Sequence, residues 1–179
     1  MALPVAEYPR WPNPDAIYSP EVEVLPMVNP ADPVWTQVKD WITGKPLYRI
    51  SRDYFTYCPT IDGWIFLPTN FVFDYASVPR VFTFIMQPNG ILGYGAGPHD
   101  FGIRFGGMMV SHSEAEPYWF QTMDKPLIDK IFVDLNNKYT RIRWVNEFAG
   151  WLVRKFGPEI DPIDMDTVDW SQEVHGKNY

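Results

Sequence analysis

The sequence has 179 residues, the length of one domain with room for extended arms. Hydrophobic residues make up 46% and charged residues 21%, which excludes a wholly disordered chain. The net charge of −7 argues against nucleic acid or an anionic membrane as the main partner, and the single cysteine excludes an intrachain disulfide. No stretch approaches about 18 consecutive apolar residues, so we expect a soluble protein without a transmembrane segment.

Residues 1–46 are predicted to form an extended arm. Nine prolines in this segment exclude a long helix or a central strand. Five large aromatic residues are interleaved with the prolines and need burial against something: Tyr8, Trp11, Tyr18, Trp35 and Trp41. Two alternatives stay open at this point. The arm wraps around its own domain, or it lies on neighbouring subunits of an assembly.

The globular domain is predicted to begin at residue 47 with a β-hairpin. Aromatic and β-branched residues between 47 and 58 predict the first strand. Asp62-Gly63 predicts a tight turn, and Trp64–Leu67 the second strand. A third short strand is predicted at residues 71–73.

Three helices are predicted to follow the strands. The first runs from about Pro98 to Arg104 after a glycine-rich approach. The second begins after the capping residue Asp124 and carries apolar residues at every fourth position. The third, from about Arg141 to Phe156, has an apolar stripe that includes two phenylalanines, Phe148 and Phe156.

These elements predict an α+β fold: a small antiparallel sheet or hairpin, then a bundle of about three helices, with an extended Pro-rich N-terminal arm. The predicted divisions are the arm (1–46), the globular domain (47–157) and an acidic tail (158–179) that is mobile or lies on a partner. We expect Cys58 to be a buried small residue and His112 to be solvated. We expect the tryptophans Trp119, Trp144 and Trp151 to pack rather than to bind lipid.

Three carboxylates and one imidazole are candidates for a common site. On a helix, His99 and Asp100 point about 100° apart, so one can face a buried partner while the other faces a loop. A carboxylate that holds the far nitrogen of a histidine orients the ring and makes it a better base. We predict Asp129 in that role, and Asp100 with Asp74 as oxygen ligands for calcium.

A purely structural interpretation of the same residues stays open. His99 can be a hydrogen-bonded core histidine, and Asp74 can be a turn former. Asp129 can pair with Arg104 or Arg80 in an ordinary buried ion pair, without any catalysis.

Three motifs in this order resemble a domain-of-unknown-function family of tailed bacteriophages and prophages. They are D-Y-A-S-V-P-R at residues 74–80, H-D at 99–100 and D-K-I-F at 129–132. The family patterns are D-G-A-S-V-P-R, H-D-x-x-Y and a-D-x-x-F, and the similarity spans roughly residues 47–157. The resemblance implies a protein of the phage particle.

The run H-D-F-G-I-R at residues 99–104 is also similar to the H-D-F-G-Y-R helix of bacterial secreted phospholipases A2. This resemblance implies that His99 is the water-activating base, Asp129 its paired carboxylate, and Asp100 and Asp74 the calcium ligands. Ile103 replaces a tyrosine of both families, and Tyr75 replaces a glycine of the metal-binding loop.

Two functions follow as hypotheses. The first is a virion-associated structural or accessory protein of the phage head (capsid) or tail, made in the host bacterial cytoplasm. Its arm would bind other phage structural proteins or copies of itself, and its phospholipase-like site would be active or vestigial. The alternative is a calcium-dependent phospholipid ester hydrolase that acts on the host envelope, with His99 as general base. The first ranks higher because it needs only the arm and the family resemblance.

Overall fold

The computed structural model describes residues 22–25, 47–74, 93–113, 117–140, 142–169 and 171. Two antiparallel sheets and three helices are formed within these ranges, as the predicted α+β class requires. The strands are β1 (Val22–Leu25), β2 (Leu47–Ile50), β3 (Tyr54–Cys58), β4 (Gly63–Leu67), β5 (Val72–Asp74), β6 (Gly107–Ser111) and β7 (Trp119–Thr122). The helices are α1 (Gly93–Phe105), α2 (Lys125–Tyr139) and α3 (Arg143–Phe156).

The first sheet has the order β1-β2-β5 and the second the order β3-β4-β6-β7. Residues 47–74 form one long hairpin that contributes strands to both sheets. Strand β2 pairs with β5 and β3 pairs with β4, and the register continues unchanged from the first pair of strands to the second. Leu47 lies opposite Asp74 at the open end, and Cys58 lies opposite Gly63 at the tip. The predicted hairpin is therefore confirmed.

The strand predicted over residues 47–58 is interrupted, and the chain passes from one sheet to the other at residues 51–53. The bend is held by Asp53, whose Oδ1 accepts hydrogen bonds from the Thr69 backbone N at 2.8 Å and from the Thr69 hydroxyl at 2.7 Å. The turn at the tip also differs in detail from the prediction, since Asp62 rather than Gly63 has a positive φ, of 47°.

Strands β6 and β7 were not predicted from the sequence. Strand β6 pairs with β4 and is buried along its whole length, so it shows none of the alternation that marks a half-buried strand. Strand β7 pairs with β6 as a mostly exposed edge strand and gives an equally weak sequence signal. The predicted third strand is confirmed as β5, which pairs with β2.

Helix α1 begins earlier than predicted, at Gly93 instead of Pro98. Gly93, Gly95 and Gly97 lie within the helix, and at Gly95 and Gly97 the absence of a side chain permits close packing. The other two helices agree better with the prediction. Asp124 caps α2 by accepting a hydrogen bond from the Leu127 backbone N at 3.0 Å, and α3 ends at Phe156 as expected.

The buried residues form a large cluster between the strands, α1 and the inner side of α2. A smaller cluster lies between α2 and α3. The first part of the acidic tail packs on the domain itself, where four of its apolar residues contact the large cluster: Ile160, Ile163, Met165 and Val168. The Ile163 backbone N also donates a hydrogen bond to the Arg104 carbonyl at 2.8 Å.

One segment of the N-terminal arm is described. Val22–Leu25 forms β1, which pairs with β2 and so joins this part of the arm to its own domain. The five aromatic residues of the arm lie outside the described residues. Among the helices that are described, none has the length and apolar character needed to cross a bilayer.

Candidate functional site

The predicted site residues meet where α1 and α2 pack against each other in antiparallel orientation. Gly95 sets the distance between the two helices, because an added Cβ would lie 2.5 Å from the Phe132 carbonyl O and 2.8 Å from Asn136 Nδ2. The Gly95 backbone N donates a hydrogen bond to Asn136 Oδ1 at 3.0 Å. His99 lies one turn further along α1, on the same side as Gly95, and therefore also faces α2.

His99 and Asp129 form the centre of the site. His99 Nε2 lies 2.8 Å from Asp129 Oδ1, and each residue is 2% exposed. Because an ionised carboxylate only accepts hydrogen bonds, this contact places a proton on Nε2 and leaves Nδ1 as the second ring nitrogen. The edge of the Phe132 ring packs against the imidazole, with ring centroids 5.5 Å apart. The predicted pairing of these two side chains is present.

Lys125 completes the surroundings of Asp129. Its Nζ donates to Asp129 Oδ2 at 2.9 Å, one turn earlier on the same helix. The same Nζ lies 3.4 Å from the Val153 carbonyl O, so the ammonium group also contacts α3. Each oxygen of the Asp129 carboxylate thus has a partner of its own, which fixes the plane of the group that holds His99.

The electrostatics favour the charged forms of the pair. Burial lowers the pKa of His99, but the interactions of the ring with the carboxylates of Asp100 and Asp129 outweigh it and place the pKa above its ordinary value of 6.5. Burial raises the pKa of Asp129, but the contacts with His99 and Lys125 outweigh it and place the pKa below its ordinary value of 3.8. The imidazole is therefore a stronger base than a free histidine.

Asp100 lies beside the other ring nitrogen, with its Oδ1 3.8 Å from His99 Nδ1. Asp74 is the last residue of β5, and its side chain lies outside what the structure describes. The described residues contain no group of three His, Cys, Asp or Glu side chains that could hold a metal ion. A calcium site takes about six to eight oxygens. Of the two candidate ligands, only the Asp100 side chain is described, and one carboxylate by itself does not fit such a site. Calcium binding therefore stays a prediction.

The ion pair between Asp129 and Arg104 that the structural interpretation allowed is not formed. Arg104 is the buried basic residue at the end of α1, and its Nη1 donates to the Val72 carbonyl of β5. Its guanidinium carbon lies 5.5 Å from the centre of the Phe71 ring. Arg104 therefore joins α1 to the first sheet, and Lys125 is the basic partner of Asp129. Arg80 lies outside the described residues.

Sequence reasoning missed the supporting residues of the site. The Lys125–Asp129 pair has a signal, because opposite charges four residues apart on a helix lie next to each other. Gly95 and Asn136 have no such sequence signal, since their role depends on the packing of two helices that are distant in sequence.

The remaining candidates lie away from this pair. Cys58 is buried, as predicted. His112 is exposed, as predicted, with its Nδ1 3.2 Å from the Asp62 carbonyl O. The tryptophans that were expected to pack, Trp119, Trp144 and Trp151, are 43%, 72% and 45% exposed. The ring of Trp119 lies 6.2 Å from that of His112, and the ring of Trp151 lies 5.9 Å from that of Phe148. The inner side of α3 is filled by smaller apolar residues, so Trp144 and Trp151 lie on its outer side.

The fold and the site define a small α+β domain in which a buried histidine and a buried carboxylate face each other across two antiparallel helices. Residues 49–146, more than half of the chain, match the model of DUF1353, a protein family of unknown function. The chain belongs to the DUF1353 family. No curated protein and no solved structure matches it. The expected membership of a domain-of-unknown-function family is thus confirmed, while the phage and phospholipase connections stay predictions.

Proposed function

We propose that this protein is an ester hydrolase in which His99 is the general base. The observation that carries the proposal is the 2.8 Å contact between His99 Nε2 and Asp129 Oδ1, because a histidine held in this way has a defined tautomer and orientation. The substrate class, phospholipid of the host envelope, comes from the resemblance to secreted phospholipases A2.

The chemistry assigned to the pair is a single displacement by water. Nδ1 takes a proton as the water oxygen forms a bond to the ester carbonyl carbon, and Asp129 stabilises the imidazolium that results. The tetrahedral intermediate then releases the alcohol, which receives the proton from Nδ1, and the carboxylic acid is the second product. Only 2% of His99 is exposed, so an ester reaches Nδ1 only after local rearrangement of its surroundings.

The role of Lys125 in this proposal is to keep the carboxylate ionised and fixed while the proton moves. A second carboxylate, Asp100, lies near the nitrogen that reacts, at 3.8 Å from Nδ1. That distance is too long for a direct hydrogen bond, but it allows both groups to contact one water molecule. Calcium would supply stabilisation of the oxyanion if it binds, but no step above depends on it.

The test is the release of fatty acid from phospholipid vesicles by the full chain, in calcium and in a chelator. His99→Gln keeps a donor toward Asp129 and removes the base, and general-base catalysis is worth on the order of 10²- to 10⁴-fold. We expect a loss of that size, whereas His112→Gln, an exposed histidine, leaves the rate unchanged. Equal rates for the His99 variant and the unmodified protein would refute the assignment, as would the absence of ester cleavage in both calcium and chelator.

We also propose that the chain is a component of the phage particle, in the head or the tail. The feature that motivates it is the proline-rich N-terminal arm, in which five large aromatic residues need burial. Its β1 segment pairs with the chain's own first sheet, so this proposal rests on the aromatic residues and on the family resemblance. Mass spectrometry of purified particles is expected to find the chain together with the structural proteins. Its absence from the particles would contradict this location and would leave the hydrolase proposal standing.

A further inference from the structure

Helix α3 carries a strip of large aromatic residues on its outer side. Trp144, Phe148 and Trp151 are separated by four and three residues, which places them on one side of a helix. With Phe156 at the end of the helix, they form what is called here the aromatic strip. Trp144 is 72% exposed and Phe156 is 58% exposed, values that are unusual for residues that normally fill cores and interfaces.

The strip is not needed to hold α3 on the domain. The opposite side of the helix packs on α2 through smaller buried residues: Val145, Ala149, Leu152 and Val153. At Gly150 the two helices approach so closely that an added Cβ would lie 2.2 Å from Val133 Cγ2. The helix is therefore held firmly from one side and presents its aromatic residues outward on a rigid support.

Basic residues accompany the aromatic strip. Helix α3 has three basic side chains and one acidic one, a net charge of +2 in a chain whose total is −7. Lys155 Nζ lies 5.3 Å from the centre of the Trp151 ring and 5.8 Å from that of Phe156. Aromatic rings bordered by a few ammonium and guanidinium groups are typical of surfaces that enter the headgroup region of a bilayer.

The charges of α3 also distinguish between two candidate partners of the aromatic strip, a second copy of the chain and a phospholipid surface. If a second copy of the chain bound there by two-fold symmetry, the basic residues of one α3 would face those of the other, and this repulsion opposes a dimer. A phospholipid surface accepts both the rings and the basic groups. Because the rest of the chain is acidic, a zwitterionic surface suits it better than a strongly anionic one.

We propose that the aromatic strip of α3 docks this protein on a zwitterionic phospholipid surface. The side chains of the strip enter the headgroup layer while the helix itself stays on α2. This inference rests on α3 alone and does not require the proposed hydrolase activity.

The test is flotation of the full chain with phosphatidylcholine vesicles, with and without added phosphatidylglycerol. Trp144→Ser combined with Trp151→Ser removes the centre of the strip, and Trp119→Ser on β7 is the matched control, since that tryptophan is 43% exposed. Burying one large apolar side chain is worth about 1.5 to 3 kcal/mol, so the double variant is expected to bind at least about tenfold more weakly. The control and His112→Gln are expected to bind like the unmodified protein.

A second measurement does not depend on any variant. Brominated phosphatidylcholine is expected to quench the tryptophan fluorescence of the unmodified protein, because quenching requires rings within the bilayer. Flotation that is equal in the double variant and the unmodified protein, or no flotation of either, would overturn the proposal. A dimer in sedimentation velocity that the double variant abolishes would assign the strip to a second copy and would equally overturn it.

Discussion

Helix α2 has two packed sides that differ in character. Toward α1 it contributes Asp129, which is held in a network of charged and hydrogen-bonding groups, and toward α3 it contributes apolar residues such as Val133. Both contacts depend on a glycine of the neighbouring helix, Gly95 on one side and Gly150 on the other. The difference shows that close packing alone does not make a site. The contact between α1 and α2 combines close packing with the His99–Asp129 pair, whose hydrogen bond depends on the distance between the two helices.

The largest effect is expected from removing the carboxylate on the polar side. Asp129→Ala leaves His99 and Lys125 without their shared partner, and breaking a buried pair in this way costs about 3 to 5 kcal/mol. Urea denaturation measures this change in the free energy of unfolding. Glu147→Ala, on the exposed side of α3, is the control and is expected to change stability by less than about 0.5 kcal/mol. A similar effect of the two variants would show that the buried Asp129 contributes no more to stability than an exposed carboxylate.

The two glycines provide a closer comparison. Gly95→Ala and Gly150→Ala each force an extra methyl group into a filled contact, which costs about 1 to 3 kcal/mol. Only Gly95→Ala is expected to displace His99 from Asp129, because the added carbon meets the backbone of α2 one turn from the pair. Ring-proton chemical shifts of His99 measure this displacement. Equal shifts in both variants would contradict a separate role for Gly95.

The polar side is also expected to respond to pH. The raised pKa of His99 contributes stability that is fully present below pH 6.5 and is lost as the pH rises through the folded-state pKa. The lowered pKa of Asp129 contributes stability that is present above pH 3.8 and is lost as the pH falls through its folded-state pKa. The difference in unfolding free energy between the unmodified protein and His99→Gln should therefore be largest between these two values. A difference that does not change with pH would mean that the pair is not charged.

The raised pKa of His99 also predicts how the rate of the proposed hydrolase depends on pH. A general base works in its neutral form, so kcat/KM of the proposed hydrolase is expected to rise with pH through a value above 6.5. Asp129→Asn removes the negative charge and should move this rise to lower pH. An unchanged profile in that variant would exclude Asp129 as the residue that positions and tunes His99.

The smallest effect on stability is expected on the outer side of α3. Trp144 is 72% exposed, so Trp144→Ser should change the unfolding free energy by less than about 0.5 kcal/mol. Thermal denaturation in the absence of lipid measures this. A larger loss would show that Trp144 supports the fold, and the aromatic strip would then need a structural explanation.

Local patterns in the sequence were enough to predict the hairpin, the cap of α2 and the end of α3. Each of these has a nearby signal: a turn dipeptide, a capping residue followed by proline, or a Gly-Pro pair. The His99–Asp129 pair, 30 positions apart, came from the chemistry of the two side chains and from the family resemblance. Strand β6 was missed because burial on both sides removes the alternation of a strand. Trp144 and Trp151 were expected to pack because composition alone does not show which side of a helix is already filled.

The long hairpin of residues 47–74 has a consequence for the order of folding. Its paired residues are between 5 and 27 positions apart in the chain, from Cys58–Gly63 to Leu47–Asp74, so little loop entropy opposes its closure. The imidazole and its carboxylate are 30 positions apart, and they meet only when two helices dock. We expect pulse-labelled hydrogen exchange to find the hairpin amides protected first, which would make the ribbon the template on which the rest of the chain assembles.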